Sequence, residues 1–595
     1  MSILGALARK TEPFRVWFHW PFVPALAIIL GHRENMREDN LTDLQHSPPD
    51  PPEPEIDFTA ARTISGSHND LAQPWMGMAG ARFGRNVAPA AAFGEQMPEL
   101  MEPSPRLVSN KLLARRQFVP VEHLNVLAAA WIQFMVHDWL SHGAGDPNDL
   151  HDVPLPDGDP WLGGKMQVPR TIPEPGEDGQ PTAYTNIETH WWDASQIYGS
   201  DSTVNRAVRT DETGRFLADG TLALDDRGLL PIDTTERRGT ELAGVNANWW
   251  IGLSVLHTIF AREHNAVVAR LRLDHPEADG SWLYDKARLV VSALIAKIHT
   301  VEWTPALMDS PEGRMAMRGN YWGLMGERVF KSFGRLSRSE VISGIPGSPQ
   351  DHHTAPYAMT EEFTAVYRLH SLMPDTYSFR RATDDSEILT ADLAGVSLEA
   401  TRGLYDHMSF DDALYSLCTE NPGALCLHNY PQGLRELTKE NGRTVDLASI
   451  DILRDRERGV PRFAEFRRQL GMKVPTSFED ITSNKEWQRD LREVYGSVGK
   501  VDLLVGCLAE SQSNRGMPPR FGFSDTAFRI FILMASRRLK SDRFFTDDFR
   551  PAIYTQAGYD WVINNNFRTV LRRHCPALNA AWADLRNPFF PWSRS

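Results

Sequence analysis

The stretch AAAWIQFMVHDWLSH, residues 128–142, decides the fold that the sequence predicts. It reads as one helix, in which Gln133 and His137 are four residues apart and share a face that is otherwise apolar. Asp138 points about 100° away around the same helix. A buried histidine beside a glutamine can form a polar pair over a cofactor. A lone histidine of this kind is more often a satisfied core residue, so the pair needs support from other segments.

Similar helical patterns dominate the chain from about residue 120 onward. Apolar residues recur at i, i+3, i+4 and i+7 over more than three turns in four long stretches, residues 121–142, 251–273, 284–303 and 526–545. Strand signals are few and short, and no internal repeat is found. The sequence therefore predicts a mainly α protein with one large helical domain over residues 61–595, a few short strands and an N-terminal arm over residues 1–60.

The N-terminal arm contains a short apolar segment and a proline-rich linker. The apolar segment, Trp17 to Leu30, is too short to span a bilayer and is interrupted by His19 and two prolines. The linker includes SPPDPPEPE, residues 47–55. Two interpretations of the apolar segment stay open, because periodicity does not separate them. It is either an interfacial segment in peripheral contact with a membrane or a helix packed on the body of the protein.

Composition argues against the simplest nucleic-acid-binding and disulfide-rich classes. Over 595 residues the formal net charge is −14, whereas nucleic-acid binding needs a basic surface. The same charge gives little long-range attraction to anionic lipid, although local basic groups can still act. The four cysteines form no CxxC pair, which argues against zinc and disulfide frameworks and favours a reducing compartment, the cytoplasm.

The stretch EEFTAVYRLHSLMPDTYSF, residues 361–379, carries a tyrosine and a histidine at a spacing that suits a haem site. Tyr367 and His370 stand at i and i+3, so a continuous helix would place them one turn apart on one face. A neutral histidine is the usual axial ligand of haem iron, and a nearby tyrosine can pass an electron and a proton to an oxidised haem. The alternative is two amphipathic residues in a core, and the spacing alone does not decide.

The stretch ETHWWDASQIYGSD, residues 188–201, offers oxygen ligands for a hard cation. Thr189, Trp191, Asp193 and Ser195 alternate along what reads as an extended run, so the polar side chains fall on one side with the Trp191 carbonyl between them. Ca²⁺ prefers several such oxygens, and Asp138 could supply another carboxylate. The alternative is a polar loop with an ST-turn.

Taken together, these segments resemble the animal-type haem peroxidase and cyclooxygenase superfamily. Within that superfamily the chain resembles the plant fatty-acid α-dioxygenases, from about residue 60 to near the C-terminus, through WIQFMVHDWLSH, AKIHTVEWT, AVYRLHSLMPD and SRRLKSDRFFTDDF. The superfamily motifs stand in order along more than 300 residues: QFMVHD (133–138), THWWDAS with IYGS (189–200), AREHN (261–265), YRLHSLMPD (367–375) and RDRERGVPRFAEFRR (454–468).

The resemblance implies a haem-peroxidase-like fold with non-covalent haem b, one Ca²⁺ and a fatty-acid channel. His137 would be the distal histidine beside Gln133, moving a proton on bound peroxide, and His370 would be the proximal iron ligand. Tyr367 would form the radical that removes hydrogen from the carbon beside the substrate carboxylate. The implied calcium ligands are Asp138, Thr189, the Trp191 carbonyl, Asp193 and Ser195.

Three further residues match the carboxylate anchor of the α-dioxygenases: His299 and Thr304 in IHTVEWT, and Arg538 in SRRLK. Arginine suits a bidentate contact with a carboxylate. A fatty acid anchored there would present its own α-carbon to Tyr367. Without the resemblance, Arg538 would be interpreted as a surface charge in a basic cluster and His299 as a core histidine.

The implied function is haem-dependent α-dioxygenation of fatty acids by O₂, with H₂O₂ as activator and 2-hydroperoxy fatty acids as products. The alternative enzyme is a haem peroxidase that oxidises small reductants with H₂O₂. A third hypothesis, from another class, is a haem- or lipid-binding protein that has lost catalysis. Retention of the tyrosine and of the distal pair argues against it.

The sequence also departs from its relatives. No arginine lies between positions 238 and 262, so the distal arginine that would polarise the peroxide bond in true peroxidases is missing. Asn246–Ala247–Asn248 stands where the plant enzymes carry arginine. The residue before the distal histidine is Val136, and no acid lies in 242–262, so no side chain is placed to attach haem covalently. The segment 510–525 is longer than its plant counterpart.

Overall fold

The computed structural model describes residues 2–12, 16–161, 164–234, 239–438, 444–511, 518 and 520–594. Within these residues the fold is mainly α-helical, with three two-stranded antiparallel sheets. The predicted fold class is therefore confirmed. Of the segment predicted to be longer than its plant counterpart, residues 512–517 and 519 lie outside the described residues.

The helices and strands follow one another in chain order. The helices are α1 Ile3–Thr11, α2 Phe22–Asp39, α3 Pro105–Val108, α4 Val126–Trp139, α5 Ser195–Tyr198, α6 Ser202–Ala207, α7 Ile251–Asp274, α8 Gly280–Ile298, α9 Thr304–Leu307, α10 Pro311–Trp322, α11 Gly326–Phe333, α12 Glu340–Ser343 and α13 Glu361–Val366. They continue with α14 Glu399–Leu404, α15 Phe410–Thr419, α16 Gln432–Arg435, α17 Leu447–Glu457, α18 Phe463–Gln469, α19 Phe478–Ile481, α20 Lys485–Tyr495, α21 Leu503–Ser511, α22 Asp525–Ser541, α23 Pro551–Tyr554, α24 Gln556–Asn564, α25 Phe567–His574 and α26 Asn579–Trp582. The strands pair as β1 Asp146–Val153 with β2 Met166–Arg170, β3 Thr376–Arg380 with β4 Glu387–Asp392, and β5 Leu437–Thr438 with β6 Thr444–Val445.

Helix α4 lies in the core because nearly all of its surface is apolar. The Asn125 side chain accepts a hydrogen bond from the Ala128 amide at 3.1 Å and so caps the first turn. Eleven of the fourteen residues of α4 are buried. The helix packs against α5, α7 and α15, and burial of its apolar surface is the main force that holds it there.

The long helical stretch over residues 284–303 is not one regular helix. Helix α8 ends at Ile298, and a π-helical turn over His299–Trp303 leads into α9. Pro305 has no amide hydrogen for a bond to the carbonyl four residues back, which loosens this turn. Wide turns of this kind are frequent at functional sites. Here His299 opens the turn and Thr304 follows it, and both are buried.

Helix α22 is buried along its whole length. The Ser524 side chain accepts from the Ala527 amide at 3.0 Å and caps its first turn. The helix packs against α2, α13 and α21. Because Arg538 lies on this helix, its side chain is in the core rather than at the surface, with 1% of the residue exposed.

The N-terminal arm packs on the body through buried polar contacts. Trp17 Nε1 donates to Asp525 at 2.9 Å, and Arg529 pairs with Glu12 at 2.7 Å. Helix α2 buries nine of its eighteen residues and contacts α10 and α22. The second half of the apolar segment therefore belongs to a helix packed on the body. No helix in the described ranges is long and apolar enough to cross a membrane.

Candidate active site

Three residues form a partly exposed stripe on the otherwise buried α4: Gln133, Val136 and His137. They stand at i, i+3 and i+4, so they share one face. Gln133 is fixed at both ends of its amide, because Nε2 donates to the Asn248 carbonyl at 3.1 Å and Oε1 accepts from Trp250 Nε1 at 2.8 Å. The stripe therefore borders accessible space, whereas the rest of the helix is packed.

A second partly exposed group lies at residues 368–370, shortly before β3. His370 Nδ1 lies 2.8 Å from Asp451 Oδ2, and the same buried carboxylate accepts from Arg368 at 2.7 Å and from the Tyr430 hydroxyl at 2.9 Å. Burial would raise the pKa of Asp451, but His370 and Arg368 hold it below its ordinary value. A carboxylate only accepts hydrogen bonds, so His370 donates from Nδ1 and its Nε2 can act as a metal ligand.

Tyr367 and His370 do not share a helix face, so the sequence prediction is wrong on this point. Helix α13 ends one residue before Tyr367, and a 3₁₀ turn begins at His370. The two side chains have different partners. Tyr367 stacks on Phe363 with ring centroids 4.3 Å apart and on Phe531 at 6.1 Å, whereas His370 is held by Asp451. Tyr367 is consequently buried, while a third of the His370 side chain is exposed.

The guanidinium group of Arg538 lies between two indole rings. Its Cζ is 3.8 Å from the ring centroid of Trp139 and 4.4 Å from that of Trp192. Burial lowers the pKa of Arg538. Its Nε and Nη2 atoms, and the Nε1 atoms of both indoles, have no hydrogen-bond partner in the described part of the chain. Buried donors without acceptors are costly, and an anion bound here would supply the missing acceptors.

His299 adjoins the same two indoles. Its ring centroid is 5.3 Å from that of Trp139 and 5.3 Å from that of Trp192. Burial holds the pKa of His299 well below its ordinary value, so the ring is neutral. Trp131 Nε1 donates to His299 Nδ1 at 3.1 Å, which leaves the proton on Nε2 as a further donor. We call Arg538, His299, Trp139 and Trp192 the anion cradle.

The two other residues that the sequence assigned to substrate chemistry lie near the anion cradle. Thr304 ends the π-helical turn that His299 opens, and its Oγ1 is buried with no hydrogen-bond partner among the described residues. The Tyr367 ring centroid is 5.7 Å from that of Trp139. Burial raises the pKa of Tyr367 well above its ordinary value, although Arg538 opposes the shift. The Tyr367 hydroxyl therefore keeps its proton at neutral pH.

Asp138 and Asp193 are two buried carboxylates joined by Ser195. The Ser195 amide donates to Asp138 Oδ1 at 2.6 Å and to Asp193 Oδ1 at 3.2 Å, and the Thr189 hydroxyl donates to Asp193 at 2.9 Å. Burial and the charge of Asp193 raise the pKa of Asp138 well above its ordinary value. The Asp138 Oδ2 atom is buried without a hydrogen-bond partner in the described ranges. Arg288 offsets part of the negative charge through a 3.0 Å contact with Asp193.

The segment over residues 189–195 bends, whereas the sequence predicted an extended run. Ala194 adopts a left-handed conformation with φ 63°, and α5 begins directly after it. This bend brings Ser195 against Asp138, while Trp191 is buried and stacks on Tyr357 with ring centroids 4.6 Å apart. Within the residues that the structure describes, no cluster of three His, Cys, Asp or Glu side chains could hold a metal. A cation here would need hydroxyl and carbonyl oxygens beside the two carboxylates.

The chain has relatives of known family over nearly its whole length. Residues 61–585 match the family model described as animal haem peroxidase. Alpha-dioxygenase PIOX of Oryza sativa is 38% identical over 556 residues, which cover 89% of this chain and 86% of that protein. The chain belongs to the animal haem peroxidase family. Within the family it groups with the alpha-dioxygenases, so it is an oxidoreductase, and the resemblance seen in the sequence is confirmed.

Solved structures support the same assignment. A crystal structure of Oryza sativa fatty acid alpha-dioxygenase, a Tyr-to-Phe variant with palmitic acid, matches with a TM-score of 0.91 at 34% identity and covers 100% of this chain and 98% of that one. The Arabidopsis thaliana fatty acid alpha-dioxygenase matches with a TM-score of 0.90 at 34% identity, covering 100% and 93%.

An animal haem peroxidase needs a haem-binding surface, and the two partly exposed groups fit one. A planar ligand needs accessible side chains on both of its faces, and Gln133 and His137 are accessible on α4 where their neighbours are packed. In the second group, a third of the His370 side chain is exposed, and its Nε2 is left for a ligand because Asp451 holds its Nδ1. Ring contacts connect the two sides, because Trp250, the partner of Gln133, lies 5.6 Å from Tyr377 in β3.

The stretch without arginine, between positions 238 and 262, contacts Gln133 through a neutral group. Asn248, at φ 51°, offers its carbonyl to Gln133. The Asn246 side-chain amide donates to Asp233 at 3.0 Å. Residues 246 and 248 therefore make contacts through a neutral amide and a carbonyl where the plant relatives were expected to carry a cation.

Sequence reasoning missed Asp451, Trp139 and Trp192. Asp451 is 81 residues from His370 in the chain, and its signal was its place three residues before the RDRERG motif. Each tryptophan is the immediate chain neighbour of a predicted calcium ligand, and this repeated pairing was the available signal. Their closure over Arg538 depends on residues far apart in sequence, which no local pattern encodes.

Proposed function

We propose that the chain is a fatty-acid α-dioxygenase in which the substrate carboxylate binds in the anion cradle and Tyr367 removes a hydrogen atom from the adjacent carbon. The observation that carries this proposal is the state of Arg538. Its unused Nε and Nη2 atoms form one edge of the guanidinium plane, and such an edge pairs with both oxygens of a carboxylate. The His299 Nε2–H and the Thr304 hydroxyl offer further donors. The palmitic acid in the rice enzyme has this carboxylate chemistry.

Haem b, held without a covalent bond, would occupy the space between the α4 stripe and residue 370. His370 would ligate the iron through Nε2, and the Asp451 carboxylate would fix the orientation of its ring. When bound, haem supplies the oxidising equivalent that H₂O₂ delivers. His137, beside Gln133, would take a proton from the peroxide and return it to the departing oxygen.

Tyr367 then carries out the reaction on the fatty acid. Its hydroxyl gives up one electron and one proton, leaving a neutral phenoxyl radical, and this radical takes a hydrogen atom from the substrate α-carbon. O₂ adds to the carbon radical. The resulting peroxyl group takes the hydrogen atom back from the Tyr367 hydroxyl, which yields a 2-hydroperoxy fatty acid and restores the radical. The raised pKa of Tyr367 supports this role because it keeps the O–H intact until oxidation.

We infer that Ca²⁺ binds between α4 and the bent segment after residue 188. Its ligands would be Asp138, Thr189, the Trp191 carbonyl, Asp193 and Ser195. The unused Asp138 Oδ2 supports this proposal, since the Arg288 contact with Asp193 offsets only part of the charge of two buried carboxylates and Ca²⁺ would offset the rest. The ion would tie the helix that carries His137 to a segment more than 50 residues away in the chain.

The cellular setting is part of the proposal. All four cysteines are free in the described structure, which supports the cytoplasm as a reducing location. Residues 61–595 would form one haem-peroxidase-like domain, with residues 1–60 as an arm that includes the apolar segment predicted to contact membranes peripherally.

The decisive experiment is Tyr367→Phe, assayed by O₂ uptake with palmitate. Phenylalanine keeps the stacking on Phe363 and Phe531 but has no O–H to lose, so we expect intact haem absorption and loss of O₂ uptake. Tyr377→Phe is the matched control, because the Tyr377 hydroxyl is also buried and makes no hydrogen bond within the described residues. That variant should retain activity.

The same pair of variants separates this function from a simple peroxidase. A haem peroxidase oxidises its reductant at the haem, so Tyr367→Phe would leave most of its activity with H₂O₂ and a small reductant. O₂ uptake by Tyr367→Phe at nearly the wild-type rate would refute the tyrosyl mechanism and favour the peroxidase alternative.

A further inference from the structure

Exposed apolar side chains concentrate on one segment of the surface. Nineteen large apolar residues are exposed in the described structure, and six of them fall within residues 324–342. Phe333 is 71% exposed, so transfer of its ring from water to an apolar environment would be favourable. Patches of this kind mark interaction sites. We call this set the docking patch: Leu324, Met325, Phe333, Leu336, Val341 and Ile342.

The backbone that carries the docking patch is fixed to the body. Gly323 follows the last residue of α10 and Gly334 follows the last residue of α11. Both have positive φ, which lets the chain turn sharply on either side of α11. Phe330 and Trp322 are buried inward. Arg335 donates to the carbonyls of Gly344 and Pro346 at 2.6 and 3.0 Å. The apolar side chains therefore project from an ordered surface.

Helix α2 contacts both α1 and α10, the helix that precedes the docking patch in the chain. The Leu4 carbonyl lies so close to Gly31 of α2 that a side chain at residue 31 would collide with it. Two residues later, and so on a different face of α2, Arg33 donates to Asn320 of α10 at 2.7 Å and to Glu340 of α12 at 2.9 Å. The same stretch of α2 thus contacts both α1 and the base of the docking patch. On α1 and at the start of α2, five more apolar residues are exposed: Ile3, Leu4, Leu7, Phe22 and Val23.

The charges around the docking patch indicate which kind of partner binds there. Arg328 and Arg338 are exposed beside it, and so is Lys331, which pairs with Glu327 at 2.9 Å, although the whole chain has a net charge of −14. A symmetric dimer through this patch would bring the basic groups of two copies into one interface, which is unfavourable. Anionic lipid headgroups would instead attract them, while the apolar side chains enter the boundary between headgroups and acyl chains.

We propose that the docking patch holds the protein on the surface of an anionic lipid bilayer without crossing it. The inference stands on exposure and charge and does not depend on the reaction. It differs from the sequence-based expectation, because the main contact is α11 and its flanking turns rather than the apolar segment Trp17 to Leu30. A long-chain fatty acid also partitions into a bilayer, so docking would place the enzyme at its substrate.

Sedimentation with vesicles tests the proposal on the full-length, haem-loaded protein. Binding to phosphatidylcholine vesicles that contain about one third phosphatidylglycerol should fall at least tenfold in Phe333→Glu/Leu336→Glu. The matched control is Phe93→Glu/Ile172→Glu, which changes two exposed apolar residues outside the patch. In Arg328→Gln/Arg338→Gln, binding to the anionic vesicles should fall by roughly fivefold per residue, while weak binding to pure phosphatidylcholine stays unchanged.

Three results would overturn the proposal. The first is that anionic vesicles do not retain the wild type, and the second is that the control variant loses as much binding as the patch variant. Analytical ultracentrifugation could also show a dimer that Phe333→Glu dissociates, which would assign the patch to a second copy of the chain. Haem absorption and O₂ uptake with dispersed palmitate should stay at wild-type levels in every variant, which separates loss of docking from loss of folding or of catalysis.

Discussion

The anion cradle and the α4 stripe both include residues of α4, and Trp139 of the cradle stands two residues after His137 of the stripe. The two regions nevertheless differ in burial. Trp139 is fully buried and closes over Arg538, whereas His137 lies on the accessible stripe. A buried cation with unused donors selects a small anion by charge, because few other partners can offset its desolvation. An accessible stripe can take a large planar ligand through many weaker contacts. Changes in the cradle should therefore act on substrate affinity, and changes around the stripe on haem properties.

The largest effect of this contrast is expected from Arg538→Ala. Losing a charged hydrogen-bonding partner typically costs about 1.5–3 kcal/mol, so KM for palmitate should rise roughly 10- to 150-fold. Haem absorption and reaction with H₂O₂ should change little. Steady-state O₂ uptake at a series of palmitate concentrations measures the effect.

Arg537 supplies the matched control for this prediction. It is the neighbouring buried arginine on α22, and it donates to the carbonyls of Ala355 and Pro356 rather than to a substrate site. Arg537→Ala should lower stability without a selective rise in KM. If the wild type oxygenates a fatty acid and its methyl ester equally well, the cradle does not bind a carboxylate.

The parts of this site that the sequence predicted are those that carry a local signature. Gln133 and His137 are four residues apart on one helix, so helical periodicity alone places them together. Arg538 and His299 required the resemblance to a family, because 239 residues separate them in the chain. The indoles that join them were not predicted, since burial of Trp139 and Trp192 is also what an ordinary core would produce.

The fold shows the same division between local and tertiary causes. The apolar periodicity predicted α4, α7 and α22, which the structure confirms. It did not predict the π-helical turn at His299 or the end of α13 before Tyr367. Just after α13, Arg368 and His370 both bind Asp451. This tertiary contact competes with continuation of α13. Propensity does not contain that contact.

Calcium removal is expected to have an effect of intermediate size on the anion cradle, because the proposed ion lies next to it. Asp138 and Asp193 directly adjoin Trp139 and Trp192, the two rings around Arg538. At a calcium concentration of 100 Kd the ion would add about 2.7 kcal/mol to the free energy of unfolding. Chelation should remove this contribution and raise KM for palmitate several-fold, as measured by thermal unfolding and O₂ uptake.

Asp138→Asn distinguishes a calcium effect from a general loss of packing. The amide can keep the contact with Ser195 but weakens cation binding, so chelator should have little further effect on this variant. A wild-type protein whose thermal unfolding and KM do not respond to chelation, and which contains no calcium by metal analysis, would contradict the proposed site.

The smallest effect is expected on the haem side, from Asp451→Asn. Asparagine has nearly the same shape and can still accept from His370 Nδ1, but a neutral carbonyl is a weaker acceptor than a carboxylate. The His370 ring would then be a poorer donor to iron. We expect retained haem, a lower iron–histidine stretching frequency by resonance Raman spectroscopy and a higher reduction potential, with KM for palmitate unchanged. Tyr430→Phe should shift both spectroscopic values in the opposite direction, because it removes a competing donor from the same carboxylate. Equal shifts of the same sign in both variants would show that Asp451 only supports the packing, and a rise in KM would remove the separation between the two regions.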